Sequence, residues 1–225
     1  MGSFIKADFH VHSIGSPDSL SKGENLYEQA KKIGLGKLII TDHNDIQVAS
    51  ALQKAHPDFV IVGEEILTTQ GEILAIFVKE AVPKGLEPIE AFKRLKDQNA
   101  FISMSHPYAP MRHGWAESEL ESYLPYIDAI EICNGRNFQD MNKSAIEFAR
   151  SHCINGTAGS DAHAVRELGA MGLCLPDFNN ADELREAVKS AEVFGKESSQ
   201  AMRFYSRQAV FLKAVNRKLG LKLYK

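Results

Sequence analysis

The stretch Ala7-Asp8-Phe9-His10-Val11-His12 decides how the rest of the chain is read. It closes an apolar run that opens with Phe4 and Ile5, and two histidines two apart on an extended strand point to the same side. Two imidazoles on one side can share a metal ion, although an isolated His-x-His is also ordinary surface alternation. The surrounding sequence favours the metal. Thr41-Asp42-His43, Gly63-Glu64-Glu65, Ser105-His106-Pro107 and Gly159-Ser160-Asp161-Ala162-His163 each follow directly on another strand-like apolar run.

Those runs fall at 5–12, 37–41, 59–63, 73–78, 101–105, 129–133, 156–160 and 172–175. Helix-length amphipathic segments separate most of them, an alternation that predicts a parallel sheet. Leu26, Ala30 and Ile33 stripe a first helix that Gly34 ends, Asn44 or Asp45 caps a second that stops before Pro57, and Pro88 opens a third running to Gln98. Ala145, Phe148 and Ala149 mark a fourth, and 182–191 a fifth. Thr68-Thr69-Gln70-Gly71 reads as a hairpin-like turn, and 107–114 as a loop walling a site mouth. The tail from Gln200 to Leu219 reads as a basic helix carrying Arg203, Arg207, Lys213, Arg217 and Lys218, with an apolar stripe of Phe204, Val210, Phe211 and Val215 beneath its solvated face.

Seven or eight strand-helix units leave a closed barrel or an open doubly wound sheet. The candidate ligands fall at the C-terminal ends of at least five runs, from His10 to His163. Convergence from that many strands is easiest at a barrel mouth.

At 225 residues, with 44% hydrophobic and 24% charged residues, the chain is sized and composed for one globular domain. A net charge of -3 gives no general reason to expect a nucleic-acid or membrane partner. Cys133, Cys153 and Cys174 are odd in number and widely spaced, which fits reduced thiols and a cytoplasmic setting. No run approaches the ~20 apolar residues of a spanning helix. Nothing in the sequence sets an oligomeric state.

The strand-end donors are His10, His12, Asp18, His43, Glu65, His106, Asp161 and His163. Imidazole and carboxylate suit zinc, iron and manganese, and eight donors exceed what one tetrahedral ion can use. Two or three divalent ions sharing a carboxylate are the expectation.

These blocks, with Ser16-Pro17-Asp18-Ser19 after the His pair, resemble the conserved motifs of the PHP superfamily, named for polymerase and histidinol phosphatase. The resemblance runs from about His10 to about Leu175, within motif blocks spanning 8–175 of a single PHP domain, 1–225, whose helical segment 181–225 packs on the barrel. It implies an α/β fold, a distorted (β/α)7 barrel with its metal site at the C-terminal strand ends. By position, His10, His12 and Asp161 resemble ligands of a first metal, and Glu65, directly before Ile66, resembles the bridging carboxylate. His106 resembles a ligand of the second ion, and Asp18, His43 and His163 those of a third. No further histidine for the second ion follows Ser105-His106.

The resemblance also implies chemistry: hydrolysis of a phosphomonoester, a small phosphorylated metabolite or nucleotide, by a metal-activated hydroxide. Glu65 and Asp161 would hold the ions, and Arg136 would meet the anionic substrate. The rival activities are an exonuclease-type phosphodiesterase on short nucleic acid and a metal-dependent amide or ester hydrolase; the remaining alternative is a non-catalytic metal-stabilised module. Glu131 either ligates a metal or orients a ligand, Asp8 is placed to orient an imidazole, and Asp42 to form buried hydrogen bonds. Asn134, Arg166 and His113 are further candidates to touch ligands or substrate, while Cys133 reads as a packed thiol.

Overall fold

Two runs buried along almost their whole length, Lys37–Ile40 (β2) and Val60–Leu67 (β3), lie side by side and parallel, and the sheet grows outward from them. The computed structural model describes residues 3–198 and 203–221. The other strands are β1 (Phe4–Asp8), β4 (Glu72–Ile76), β5 (Phe101–Met104), β6 (Ala129–Asn134), β7 (Asn155–Gly159), β8 (Met171–Pro176) and β9 (Glu192–Gly195). The α-helices are α1 (Gly23–Lys32), α2 (Gln47–Ala55), α3 (Pro88–Asp97), α4 (Glu117–Tyr123), α5 (Gln139–Ser151), α6 (Ala181–Ala187) and α7 (Arg203–Lys218). Strand order is β7-β6-β5-β4-β3-β2-β1-β8-β9.

Period-two alternation divides the core between the two faces of this sheet. Leu38, Ile40, Val60 and Val62 pack outward under Leu26 and Ala30 of α1 and Ala49 and Leu52 of α2. Ile39 and Ile61 turn inward to meet Phe178 and Leu184 of the α6 region, which plugs one end of the barrel. The opposite end stays polar. There β1 runs on past Asp8, and Val11 bridges Ala162 beyond β7, with His12 N–H donating to the Ala162 carbonyl at 2.8 Å. The sheet thus nearly closes on itself. Gly159 lies at this seam, where an added Cβ would stand 2.4 Å from the His10 Cβ.

The sheet is mixed rather than parallel. β4 is antiparallel to β3 and β5, because Thr68 and Gly71 close a tight hairpin that leaves no room for a crossover helix, and β8 is antiparallel to β1. The sequence left α4 and β9 unassigned; the fifth expected helix ends early, at Ala187 with one further turn, before β9 begins.

The start of the tail helix, expected from Gln200, lies outside the described residues, and its expected apolar stripe is not the face it buries. Phe204, Val210 and Phe211 are exposed, whereas Ala209 and Asn216 are buried. The surface beneath α7 is polar and selects a polar face: Lys213 Nζ donates to the Ile14 carbonyl at 2.6 Å and to that of Ser16, and Arg166 stacks on Tyr205. Among the described residues no helix is long and apolar enough to cross a membrane.

Candidate metal centre

The mouth ends of β1 to β5 and of β7 each lead to at least one donor, and the local backbone fixes where it points. Asp161 and His106 both adopt positive φ, at 54° and 25°, conformations that non-glycine residues take only where the surroundings impose them. Asp42, at the end of β2, accepts from Ser13 N at 2.6 Å, Ser16 N at 3.1 Å and Ser16 Oγ at 2.7 Å, and also from Ser13 Oγ. It thereby folds the loop that leads to Asp18.

The eight predicted donors converge. Glu65 is central: its Oε2 lies 3.2 Å from His10 Nε2, 3.3 Å from His12 Nε2 and 3.1 Å from His43 Nδ1, and its Oε1 lies 3.0 Å from His106 Nε2. Asp161 Oδ1 sits 3.3 Å from His12 Nε2 and 3.4 Å from His163 Nδ1. Asp18 Oδ2 is 2.8 Å from His163 Nε2, and its Oδ1 is 3.7 Å from His43 Nε2. Donor atoms of His10, His12 and Asp161, and separately of His12, His43 and His163, lie within 4.8 Å of one another.

Tautomers make the case for a cation. The Nδ1–H of His10 donates to Glu131 Oε1 at 2.9 Å, that of His12 to Ser16 Oγ at 2.9 Å, and that of His163 to the Asp161 carbonyl at 2.9 Å. In the neutral form of each ring, Nε2 is then a lone pair aimed inward. His10 Nε2 and His12 Nε2 are 3.0 Å apart, a contact between two lone pairs that only a cation, proton or metal, makes favourable. Asp161 Oδ1 and Asp18 Oδ1 are buried with no hydrogen-bond partner. Unpartnered carboxylate oxygens among inward-facing imidazoles fit divalent ions.

The electrostatics agree with that reading. Burial opposes charge on His10, but the carboxylates of Glu65, Asp161 and Glu131 prevail and hold its imidazole well above the usual histidine value. Burial and the neighbouring His163 and His43 lower His12 to about 3. His43 is raised to about 10 against burial by Glu65 and Asp18. Despite burial, His10 and His43 hold Glu65, and Arg112 and His10 hold Asp161, well below the usual carboxylate range. The carboxylates are charged and His12 is neutral, as ligands must be; His10 and His43 carry protons that a bound ion would displace.

The remaining candidates separate. Glu131 orients rather than faces the cluster: Oε1 holds His10, and Oε2 accepts from His106 N at 2.8 Å and Asn134 Nδ2 at 3.0 Å. Asn134 Nδ2 also reaches Asp161 Oδ2 at 3.1 Å. Asp8 touches no imidazole ring. Its carboxylate accepts from the backbone of Ser160, Gly169 and His10 and from Ser160 Oγ, so it ties the seam, and burial raises it to about 6. Arg136 lines the cleft, but its Nε and Nη2 are held by buried Glu167, and Nη1 donates to Ser206. A buried carboxylate needs a counter-charge, and Arg136 supplies it. Arg166 turns to Tyr205, outside the cleft lining; His113 is on the rim. Cys133 is buried, and burial pushes its thiol up to about 11.

Two residues that sequence reasoning missed stand in the mouth. Arg112 pairs with Asp161 and donates to Asn134 and Asn137. Glu72, the first residue of β4, points its carboxylate at His106 and His43. Neither follows a strand-end motif; Glu72 stands one residue before the run 73–78 that the sequence did place. With Asp18, His43, His106, His163, Ser206 and Arg207 they line a cleft of about 470 Å³.

An uncharacterized protein of Methanocaldococcus jannaschii, MJ1587, is 38% identical over 143 residues, covering 58% of this chain and 82% of its own length. The PHP domain model matches residues 8–97, which carry His10, His12, Asp18, His43 and Glu65. The chain belongs to the PHP family. A PHP-associated model matches residues 139–193, and a second uncharacterized protein of the same organism, MJ0417, is 33% identical over 180 residues, 78% of this chain and 72% of its own length. Among solved structures, PsfC from Pseudomonas syringae superposes with a TM-score of 0.69 at 15% identity over 95% of this PHP chain and 99% of its own. A Bifidobacterium adolescentis protein provisionally described as a metal-dependent phosphoesterase gives 0.63 at 16% identity, covering 84% and 97%. An amidohydrolase from Chromobacterium violaceum gives 0.57 at 13% identity, covering 70% and 87%. These likenesses fix the fold, a nearly closed, distorted barrel. PHP membership and the His/Asp/Glu cluster together support a metal-dependent hydrolase.

Proposed function

We propose that this PHP protein hydrolyses a phosphomonoester of a small metabolite or nucleotide at a centre of two or three divalent ions, zinc, manganese or iron. The reading takes 1–225 as one domain. His10, His12, Glu65 and Asp161 would hold the first ion, His106 with Glu65 the second, and Asp18, His43 and His163 the third. Ions held there activate a water and offset the charge on phosphate oxygens.

The observation that carries the phosphate reading is Arg112, whose guanidinium sits against Asp161 on the wall of the donor-lined cleft. A guanidinium fork matches two oxygens of a phosphate, whereas the single carbonyl oxygen of an amide or ester substrate offers it no bidentate partner. Asn134 and Asn137 hold the fork in place. Arg207 adds charge at the rim, and α7 bounds the cleft on that side through Ser206, which favours a small substrate or a chain end over a long polymer. Glu131 keeps the His10 ring turned inward, and Ser105 Oγ donates to Glu65 Oε1 at 2.7 Å to fix the shared carboxylate.

The test is a comparison of an aryl phosphomonoester, a dinucleotide and an aryl ester, each with protein of measured metal content. Release from the monoester, lost with bound metal in His10→Ala and Asp161→Ala while the far-UV spectrum is kept, supports the proposal. Faster turnover of the dinucleotide or the ester, or full metal content in both variants, overturns it.

A further inference from the structure

The net charge of -3 is unevenly spread along the chain. Residues 200–225 carry seven lysines and arginines and no acid, which leaves 19 basic against 29 acidic residues in 1–199. The whole of α7 lies in that basic run, and its inward side is taken up by the carbonyls of Ile14 and Ser16 and by Arg166. Its outer side meets solvent.

Helical spacing sets what that side offers. Phe204, Arg207, Phe211 and Lys218 stand at i, i+3, i+7 and i+14, on one face, with Val210 and Arg217 on its flank. All six side chains are exposed, Phe204 at 65% and Phe211 at 66%, and exposed Leu219 and Leu221 continue the apolar surface past the last turn. Aromatic rings and cations therefore share a strip ~24 Å long.

A second copy fits this strip poorly. Like charges would meet across a contact of α7 with α7, and the apolar side chains offer on the order of 500 Å², below the about 800 Å² per partner of a stable dimer. Single-stranded nucleic acid would stack on Phe204 and Phe211 but has no use for Val210, Leu219 and Leu221. An anionic bilayer uses all of them. The phenylalanines and leucines enter the headgroup boundary while the arginines and lysine reach lipid phosphates on their long stems.

We propose that the outer face of α7 docks this PHP protein on an anionic lipid bilayer. The proposal does not depend on which ester the metal centre hydrolyses. Because Ser206 and Arg207 line the cleft, a docked bilayer adjoins the mouth.

The test is co-sedimentation of the full-length protein with vesicles of phosphatidylcholine alone and of phosphatidylcholine mixed equally with phosphatidylglycerol. The wild-type chain should bind the mixed vesicles only. Raising salt from about 0.1 to 1 M, which shortens the screening length from about 10 to 3 Å, should weaken that binding about 10-fold or more. Phe204→Ser with Phe211→Ser, and separately Arg217→Gln with Lys218→Gln, should each weaken it about 10-fold or more. The far-UV spectrum should be kept, since these side chains are exposed, and either pair reports if the other folds poorly. No sedimentation with anionic vesicles, equal binding to both kinds, or binding unchanged in both paired variants overturns the proposal. So does a wild-type dimer in light scattering that the phenylalanine pair dissolves, or a single-stranded oligonucleotide held in preference to the vesicles, since either gives the face to another occupant.

Discussion

Adjacent glutamates 64 and 65 show how a single step along a strand separates two chemistries. Glu65 faces the mouth amid imidazoles, whereas Glu64 faces the other side, where its Oε2 accepts from Val82 N at 2.9 Å and its Oε1 has no partner. Burial raises Glu64 to about 7, above its ordinary 4.5. An acid raised in the folded state contributes fully to stability below pH ~4.5 and loses that contribution as pH climbs through about 7. Denaturant melts of the wild-type protein should therefore show on the order of 2–3 kcal/mol of stability lost from Glu64 between those limits. Glu64→Gln should flatten that part of the profile and be the more stable form at pH 8; identical profiles would refute it. Periodicity made His10, His12, His43, His106 and Asp161 legible, because each terminates a strand-like run. Glu72 and Arg112 were not, since their positions depend on hairpin register and on the path of a loop with positive φ at Tyr108 and His113. Spacing encodes neither.

Elements carry a different lesson, clearest in α7. Its amphipathic pattern was visible, but pattern alone assigns the apolar side inward, and here the partner surface decides. Carbonyls of Ile14 and Ser16 and the ring-stacking Arg166 favour the side bearing Lys213 and Tyr205. Lys213 also joins α7 to the loop that ends in Asp18. Lys213→Met should cost about 1.5–3 kcal/mol in urea unfolding, the range for hydrogen bonds to a charged donor, and raise KM more than it lowers kcat by loosening the cleft wall. Lys213→Arg should recover much of both. A stability change below 0.5 kcal/mol would mean the contact is incidental. The hairpin of β3 and β4 is the converse case: Thr68-Thr69-Gln70-Gly71 announced itself, and what it could not announce was that its second strand delivers a donor to the centre.

The whole molecule is a sheet whose β7 edge is joined to β1 and its extension by polar groups. At the mouth, Asp8 ties Ser160 and Gly169 to β1, and Val11 meets Ala162. Ions shared by His10, His12 and Asp161 would reinforce this seam. Chelation should accordingly lower the melting temperature, and restoring metal at about 100 times its dissociation constant should return about 2.7 kcal/mol. A melting curve indifferent to chelator in protein shown to bind metal would mean that the seam holds by itself. The barrel as a class was legible because donors ended so many strands. Its antiparallel members were less so, because pairing direction depends on which strands the closing sheet brings together.

The seam also orders events while the chain is being made. His10 and His12 leave the ribosome before Asp161 and His163, which follow only after most of the barrel strands have been synthesised. At about 5–20 residues per second the interval is roughly 7 to 30 s. Until then a nascent chain would offer an arriving ion two imidazoles without Asp161, the carboxylate proposed to complete their set. On the proposed ligand set, metal uptake at full affinity would wait until residue 161 has emerged, and a chain truncated before it would be released without a complete first position.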